Sequence, residues 1–257
     1  MNRKTTRIDL HIHTRGSDGW GSPEEIVGNA LKAGLDGIAV CDHHVSHTVE
    51  GLAVLREARK AGLLAIVGCE YSCEEGHVLV FGYRVQEFEF GTYPHIQDVI
   101  DRVTREGGVA IPAHPYRGFR RVLGNRVLDL SRIRAVEGCN GHAATWNAEQ
   151  NEKARKAARK RQWQTTGGSD AHSPSEVGTC YTVFEGCIRT EAQFLRALKR
   201  GHFHGVVNAS LISRRLRSFA SAAKQTRFTF SARDLAPAPA TSSVLDDLGF
   251  PEPEFWH

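Results

Sequence analysis

An α/β barrel is the fold this sequence predicts, and three observations predict it. Short apolar runs of strand length alternate with stretches of helical periodicity through residues 7–200. That alternation makes βαβ units, whose right-handed crossovers close into a barrel once seven or so strands follow one another. Nearly every strand-like run also ends in His, Asp or Glu, and barrels of this kind gather their working side chains at the C-terminal strand ends.

Residues 7–12 read as the first strand, running out into Gly16-Ser17-Asp18-Gly19. Ser22-Pro23-Glu24-Glu25 starts a helix, with Ser as N-cap, Pro at the first position and Glu at the third; Gly34 stops it. Residues 36–41 make a second strand ending at Asp42-His43-His44. A helix over 48–61 stops at Gly62, and a third strand over 63–67 ends at Gly68-Cys69-Glu70. Residues 77–83 form a fourth strand, opened rather than closed by its histidine, His77. A helix over 93–106 closes at Gly107-Gly108, and the fifth strand, 109–112, leads into His114-Pro115. The sixth strand, 133–137, is followed by Asn140, a charged helix spans 145–161, and the seventh strand, 164–166, precedes Gly168-Ser169-Asp170-Ala171-His172. One more strand over 181–184 and a helix over 191–200 complete the pattern. The reading is a barrel domain over 1–210 and a basic, Pro-containing extension over 211–257. The extension carries Arg214, Arg215, Arg217, Lys224 and Arg227 and a Pro-Ala run at 236–240. It is expected to be partly irregular, loosely ordered or docked on the barrel or a neighbouring chain.

The 257 residues are 40% hydrophobic and 24% charged, the balance of an ordinary soluble globular protein. Six cysteines without a Cys-x-x-Cys pair fit reduced thiols better than a disulfide framework. Residues 1–7 lack the apolar core of a signal peptide, and no apolar run is long enough to span a bilayer. A cytoplasmic protein without a membrane partner is expected. The net charge of +4 permits an anionic substrate without demanding nucleic acid. The basic residues of 153–161 spread around their helix and read as a solvated face; contact with a nucleic-acid backbone is the sharper alternative.

His11 and His13 share one face of their strand because strand side chains alternate, and two imidazoles at a strand end can hold a divalent metal. An isolated His-x-His is more often a surface pair. Here Asp18, His43, Glu70, His114, Asp170 and His172 sit beside successive strand ends, and His77 joins them if its strand runs antiparallel to its neighbours. Mixed imidazole and carboxylate ligands suit Mn, Zn or Fe better than Mg. His44 can donate a proton to a leaving oxygen if its pKa lies near neutrality, or it merely caps its loop. Asn140 stands at a strand end, where it can orient a ligand or substrate.

In order, Asp9-Leu-His-Ile-His-Thr14, Ser17-Asp18-Gly19, Cys41-Asp-His43, Gly68-Cys-Glu70, His77-Val-Leu-Val-Phe-Gly82, Ala113-His-Pro115 and Gly168-Ser-Asp-Ala-His172 resemble the polymerase and histidinol phosphatase (PHP) family, over residues 7–178. The resemblance implies a distorted (β/α)7 TIM-like barrel, two or three divalent metal ions and hydrolysis of phosphate esters. Carried over residue by residue, it implies that His11, His13, Glu70 and Asp170 hold one metal. Glu70, His77 and His114 hold a second, with Glu70 bridging, and Asp18, His43 and His172 hold a third. Some relatives carry His at position 18; Asp trades a nitrogen ligand for an oxygen there. Similar proteins place a phosphate-binding Arg at the position of Arg117, with Arg15 and His44 as further candidates for that pocket. Glu70, Asp170 and His44 are the candidate catalytic residues. The expected partner is a phosphorylated small molecule or a short oligonucleotide. The alternatives are a 3'-5' or 5'-3' exonuclease-like phosphodiesterase and a non-catalytic scaffold.

Overall fold

The structure, a computed structural model, describes residues 5–118 and 121–228, with side chains to residue 221. Nine strands follow one another: β1 (Thr5–Ile12), β2 (Gly37–Val40), β3 (Leu64–Ser72), β4 (His77–Phe81), β5 (Val109–Ala113), β6 (Ala135–Asn140), β7 (Gln164–Gly168), β8 (Cys180–Glu185) and β9 (Phe203–Val207). Between and after them run α1 (Pro23–Lys32), α2 (Val49–Lys60), α3 (Ile96–Arg105), α4 (Gly141–Trp146), α5 (Ala148–Arg161), α6 (Glu191–Arg200) and α7 (Ala209–Phe228). One sheet has the order β5-β4-β3-β2-β1-β8-β9, and β6 pairs with β7. β6 packs beside β5, β7 packs beside β1 and β9, and Ile12 bridges Ala171 in parallel. Strands β1 to β7 thereby curl into a distorted barrel, and β8 and β9 extend the sheet from β1.

The helices form where local chemistry asks for them. Ser22 accepts the Glu25 N–H while the Glu25 side chain accepts the Ser22 N–H, a capping box ahead of α1. Thr48 and Thr190 cap α2 and α6 through the hydroxyl alone, accepting the Gly51 and Gln193 N–H. In α3 the buried Ile96, Val99, Ile100 and Val103 recur at helical spacing and turn one face to the barrel. Inside, Ile8, Leu10, Ile66, Leu79 and Ile111 bring the strands together, each almost fully buried, and each such side chain contributes about 1.5–3 kcal/mol.

β4 supplies the distortion. It runs antiparallel to both neighbours, with His77 opposite Ser72 on β3 and Ala113 on β5. Its first residue therefore lies at the rim where the neighbouring strands end. The pairing also carries β3 through Glu70 to Ser72, past the point where the sequence pattern ends it. The expected helix over 145–161 is two, α4 and α5, broken at Asn147, whose φ of −156° and ψ of 82° leave the helical region. β9 and α7 lie beyond the predicted elements, so the extension opens as a helix through residue 228. Its Pro-Ala run at 236–240 lies outside the described residues, as do the Lys224 and Arg227 side chains. The described residues divide into two units after Arg217. Among the described residues no helix is long and apolar enough to cross a membrane.

Candidate metal centre

Four polar atoms converge at the end of β1. His11 and His13, two apart and so on one face, bring their Nε2 atoms to 3.1 Å from each other. Glu70 Oε2 stands 3.2 Å from the first and 3.1 Å from the second. Asp170 Oδ1, just past β7, stands 3.5 and 3.4 Å from them. Donors about 2 Å from a common tetrahedral centre stand roughly 3.3 Å apart, so this set has the dimensions of a transition-metal site.

The other oxygen of Glu70 faces away, toward a second set. Glu70 Oε1 lies 3.0 Å from His77 Nδ1 and 2.9 Å from His114 Nε2. A third set is more open. Asp18 Oδ2 lies 3.1 Å from His172 Nε2 and 3.4 Å from His43 Nε2, all three side chains being 21–31% exposed. In each set the donor atoms stand close enough to share one ion. No cysteine belongs to them, and the donors are imidazole and carboxylate, a set that suits Mn, Zn or Fe. Asp170 Oδ1 is buried without a hydrogen-bond partner among the described residues, as a metal-ligating oxygen would be. The residues therefore fit the metals that the resemblance implies.

In the metal-free chain the cluster polarises itself. Burial alone would lower the His13 pKa, but Asp170 and Glu70 outweigh it and push it up to about 9. Burial opposes charge on His11 too, yet Glu70, Asp170 and Glu137 hold its pKa well above the usual value. Burial works against ionised Glu70 and Asp170; the surrounding imidazoles, and Arg117 beside Asp170, hold both well below the carboxylate range. His114 goes the other way, to about 4, through burial and then Arg117.

Around these atoms stand the remaining candidates. The Arg117 guanidinium donates to Asp170 Oδ2, and its side chain is 22% exposed at the rim. Asn140 Nδ2 donates to the same oxygen at 3.1 Å. Arg15 is exposed on the loop after β1. His44 lies beside His43, its ring centroid 5.9 Å away. Its ring stacks on Phe88 and meets Tyr71 edge-on, both at 4.8 Å between centroids. Burial first, then His43 and His77, pushes its pKa down to about 4. Of the histidines outside these three sets, His95 stands with Glu74 and Glu75 in a surface group whose atoms also lie close together, and His202 pairs with Glu185 at the surface; His257 lies outside the described residues. The basic helix α5 pairs internally, Lys153 with Glu149 and Arg155 and Arg159 with Glu152.

Three buried acids were missed by sequence reasoning. Asp9 accepts N–H bonds from Ser169 at 2.8 Å, Gly178 at 2.8 Å and His11 at 3.2 Å, and so ties β1 to the loop that carries Asp170. Burial pushes its pKa up to about 6 despite those donors. Asp42 accepts from Thr14 N and Oγ1, both at 2.7 Å, and from Ser17 at 2.9 Å, which fixes the loop after His13. Glu137, on β6, contacts His11 Nδ1 at 3.0 Å. The signal for all three was a lone acid in or beside an apolar strand, since a carboxylate is buried there only with partners.

The PHP domain family profile matches residues 9–163, and a PHP-associated profile matches 148–203. An uncharacterized protein of Methanocaldococcus jannaschii is 29% identical over 148 residues, 53% of this chain and 82% of that one. A 5'-3' exoribonuclease of Haemophilus influenzae is 35% identical over 68 residues, 26% of this chain and 24% of its own length. A two-domain protein of Bacteroides vulgatus, described as containing a predicted PHP-like metal-dependent phosphoesterase, superposes with a TM-score of 0.62 at 20% identity. The match covers 79% of this chain and 65% of that one. With a profile match over more than half its length and the same fold, this chain belongs to the PHP domain family.

Proposed function

We propose that the chain is a metal-dependent phosphoesterase that hydrolyses phosphate esters at a centre of two or three divalent ions. The observation that carries this reading is the division of Glu70, whose two oxygens face two separate donor sets. One carboxylate reaching two sites fixes their separation, which is the requirement of two-metal hydrolysis. When bound, the metals lower the pKa of a water toward neutrality and neutralise charge on phosphoryl oxygens. The chain's own residues do the rest. His11, His13, Glu70 and Asp170 would hold the first ion, Glu70, His77 and His114 the second, and Asp18, His43 and His172 the more exposed third. Arg117, anchored by one nitrogen on Asp170, keeps further N–H groups for a phosphoryl oxygen. Asn140 steadies Asp170, and neutral His44 offers a hydrogen bond at the rim. The free thiols of all six cysteines support a reducing, cytoplasmic setting.

A nuclease acting on short RNA or DNA is the second reading, favoured by the likeness to the exoribonuclease over 68 residues. A panel of phosphorylated metabolites and short oligonucleotides, assayed with Mn, Zn and Fe, separates the two: release of phosphate from monoesters supports the first, release of nucleotides from oligonucleotides alone the second. In either case Glu70→Ala is expected to remove activity and lower metal content while the fold persists. A Glu70→Ala enzyme working at the wild-type rate would contradict the bridging role.

A further inference from the structure

We infer that Glu137 is the positioning residue of the first metal site, fixing which nitrogen of His11 and which oxygen of Asp170 are left free for the ion. The inference rests on the metal-centre reading above and adds a residue that none of the donor sets contains.

Glu137 is 1% exposed, and its two oxygens meet three donors. Oε1 accepts from His11 Nδ1 at 3.0 Å. Oε2 accepts from the His114 backbone N–H at 2.9 Å and from Asn140 Nδ2 at 3.0 Å. An ionised carboxylate only accepts, so His11 must carry its proton on Nδ1. That leaves Nε2 as the nitrogen for the ion, and Nε2 is the atom that faces His13 and Glu70. The second branch runs through Asn140. Its Oδ1 accepts the Ala143 N–H at 2.9 Å, which settles the orientation of the amide. The Nδ2 group is then held between Glu137 and Asp170 Oδ2. With Asn140 and Arg117 both on Oδ2, Asp170 is left with Oδ1 toward His11 and His13. One buried acid therefore selects the free lone pairs of two ligands.

Glutamine cannot replace it, although it has the same shape. Its NH2 would face either His11 Nδ1 or the His114 and Asn140 donors. The first forces the His11 proton onto Nε2, where the metal belongs; the second sets donor against donor. Carboxylates that hold metal-ligating histidines in this way are worth about ten- to a hundredfold in metal affinity.

The test is titration of chelator-treated wild type and Glu137→Gln with Zn, followed by calorimetry and elemental analysis, with cooperative unfolding as the check on folding. We expect wild type to take up at least two ions per chain, and Glu137→Gln to bind one of them about ten- to a hundredfold more weakly while the ion at Glu70, His77 and His114 stays. Wild-type affinity for every ion in Glu137→Gln overturns the inference alone. A wild-type chain that binds no ion overturns the metal-centre reading as well. Should Glu137→Gln fail to fold, two-bond 1H–15N spectra of the Zn-loaded wild type decide: His11 bound through Nε2 with its proton on Nδ1 supports the inference, and binding through Nδ1 overturns it.

Discussion

Glu70 is 1% exposed, yet five imidazoles lie within 3.6 Å of its carboxylate. A buried charge of this kind persists only when partnered, and here the partners are imidazoles able to hold a metal. Arg117 extends that logic outward. Part of its guanidinium is committed to Asp170, and the proposed role takes the rest for a phosphoryl oxygen. Lys would keep the charge but lose the planar fork. Arg117→Ala is therefore expected to cost more kcat/KM toward a phosphate ester than Arg117→Lys. Loss of a charged hydrogen bond of about 1.5–3 kcal/mol corresponds to about a ten- to hundredfold drop. Steady-state kinetics checks this; unchanged kcat/KM in Arg117→Ala would make the residue a surface charge.

At the scale of elements, the site depends on β1, β6 and β7 approaching closely. Gly168 stands where they meet: a Cβ there would lie 2.4 Å from His11 Cβ and 2.8 Å from Glu137 Oε1. Gly168→Ala is expected to destabilise the chain by about 1–3 kcal/mol and to weaken metal binding by displacing both side chains. Gly28→Ala, in α1 with nothing within 4 Å of the added carbon, is the control. It is expected to gain about 0.5–1 kcal/mol from lower chain entropy. Thermal unfolding and metal titration of the two variants check the pair; equal behaviour would contradict the packing argument. The elements themselves were largely legible. Capping box, glycine stops and apolar periodicity placed α1, α2 and α6 within a residue or two, because local chemistry decides those boundaries. The direction of β4 was not fixed by local pattern, since pairing decides it; His77 was the hint, a donor at the start of its strand instead of the end. The structure brings together the residues that the resemblance grouped, and it also sets His13 Nδ1 3.4 Å from Asp18 Oδ1, beside the third group. Glu137 was hidden because its partners, His11, His114 and Asn140, come from three different strand ends.

For the whole molecule, metal binding and stability are one account. In the metal-free chain His13 has a pKa of about 9 against an unfolded value near 6.5. A raised base of this kind contributes stability that is fully present below about pH 6.5 and lost as pH rises through about 9. The metal-free chain is therefore expected to lose thermal stability across that window. Loading the site replaces the proton on His13 Nε2, so loaded protein should lose less, and binding near pH 7.5 should release protons. Chelation should lower Tm in proportion to RT ln(1 + [metal]/Kd), about 2.7 kcal/mol at a hundredfold excess over Kd. Scanning calorimetry of loaded and chelated protein between pH 6 and 9 checks both statements; parallel curves would contradict them.

Glu70 is proposed to join two metal sites through one carboxylate. Anomalous diffraction from crystals loaded with Mn or Zn locates the ions. At least two peaks are expected, one among His11 Nε2, His13 Nε2, Glu70 Oε2 and Asp170 Oδ1, the other among Glu70 Oε1, His77 Nδ1 and His114 Nε2. A single peak, or two peaks with Glu70 bound to only one of them, would contradict the bridging role.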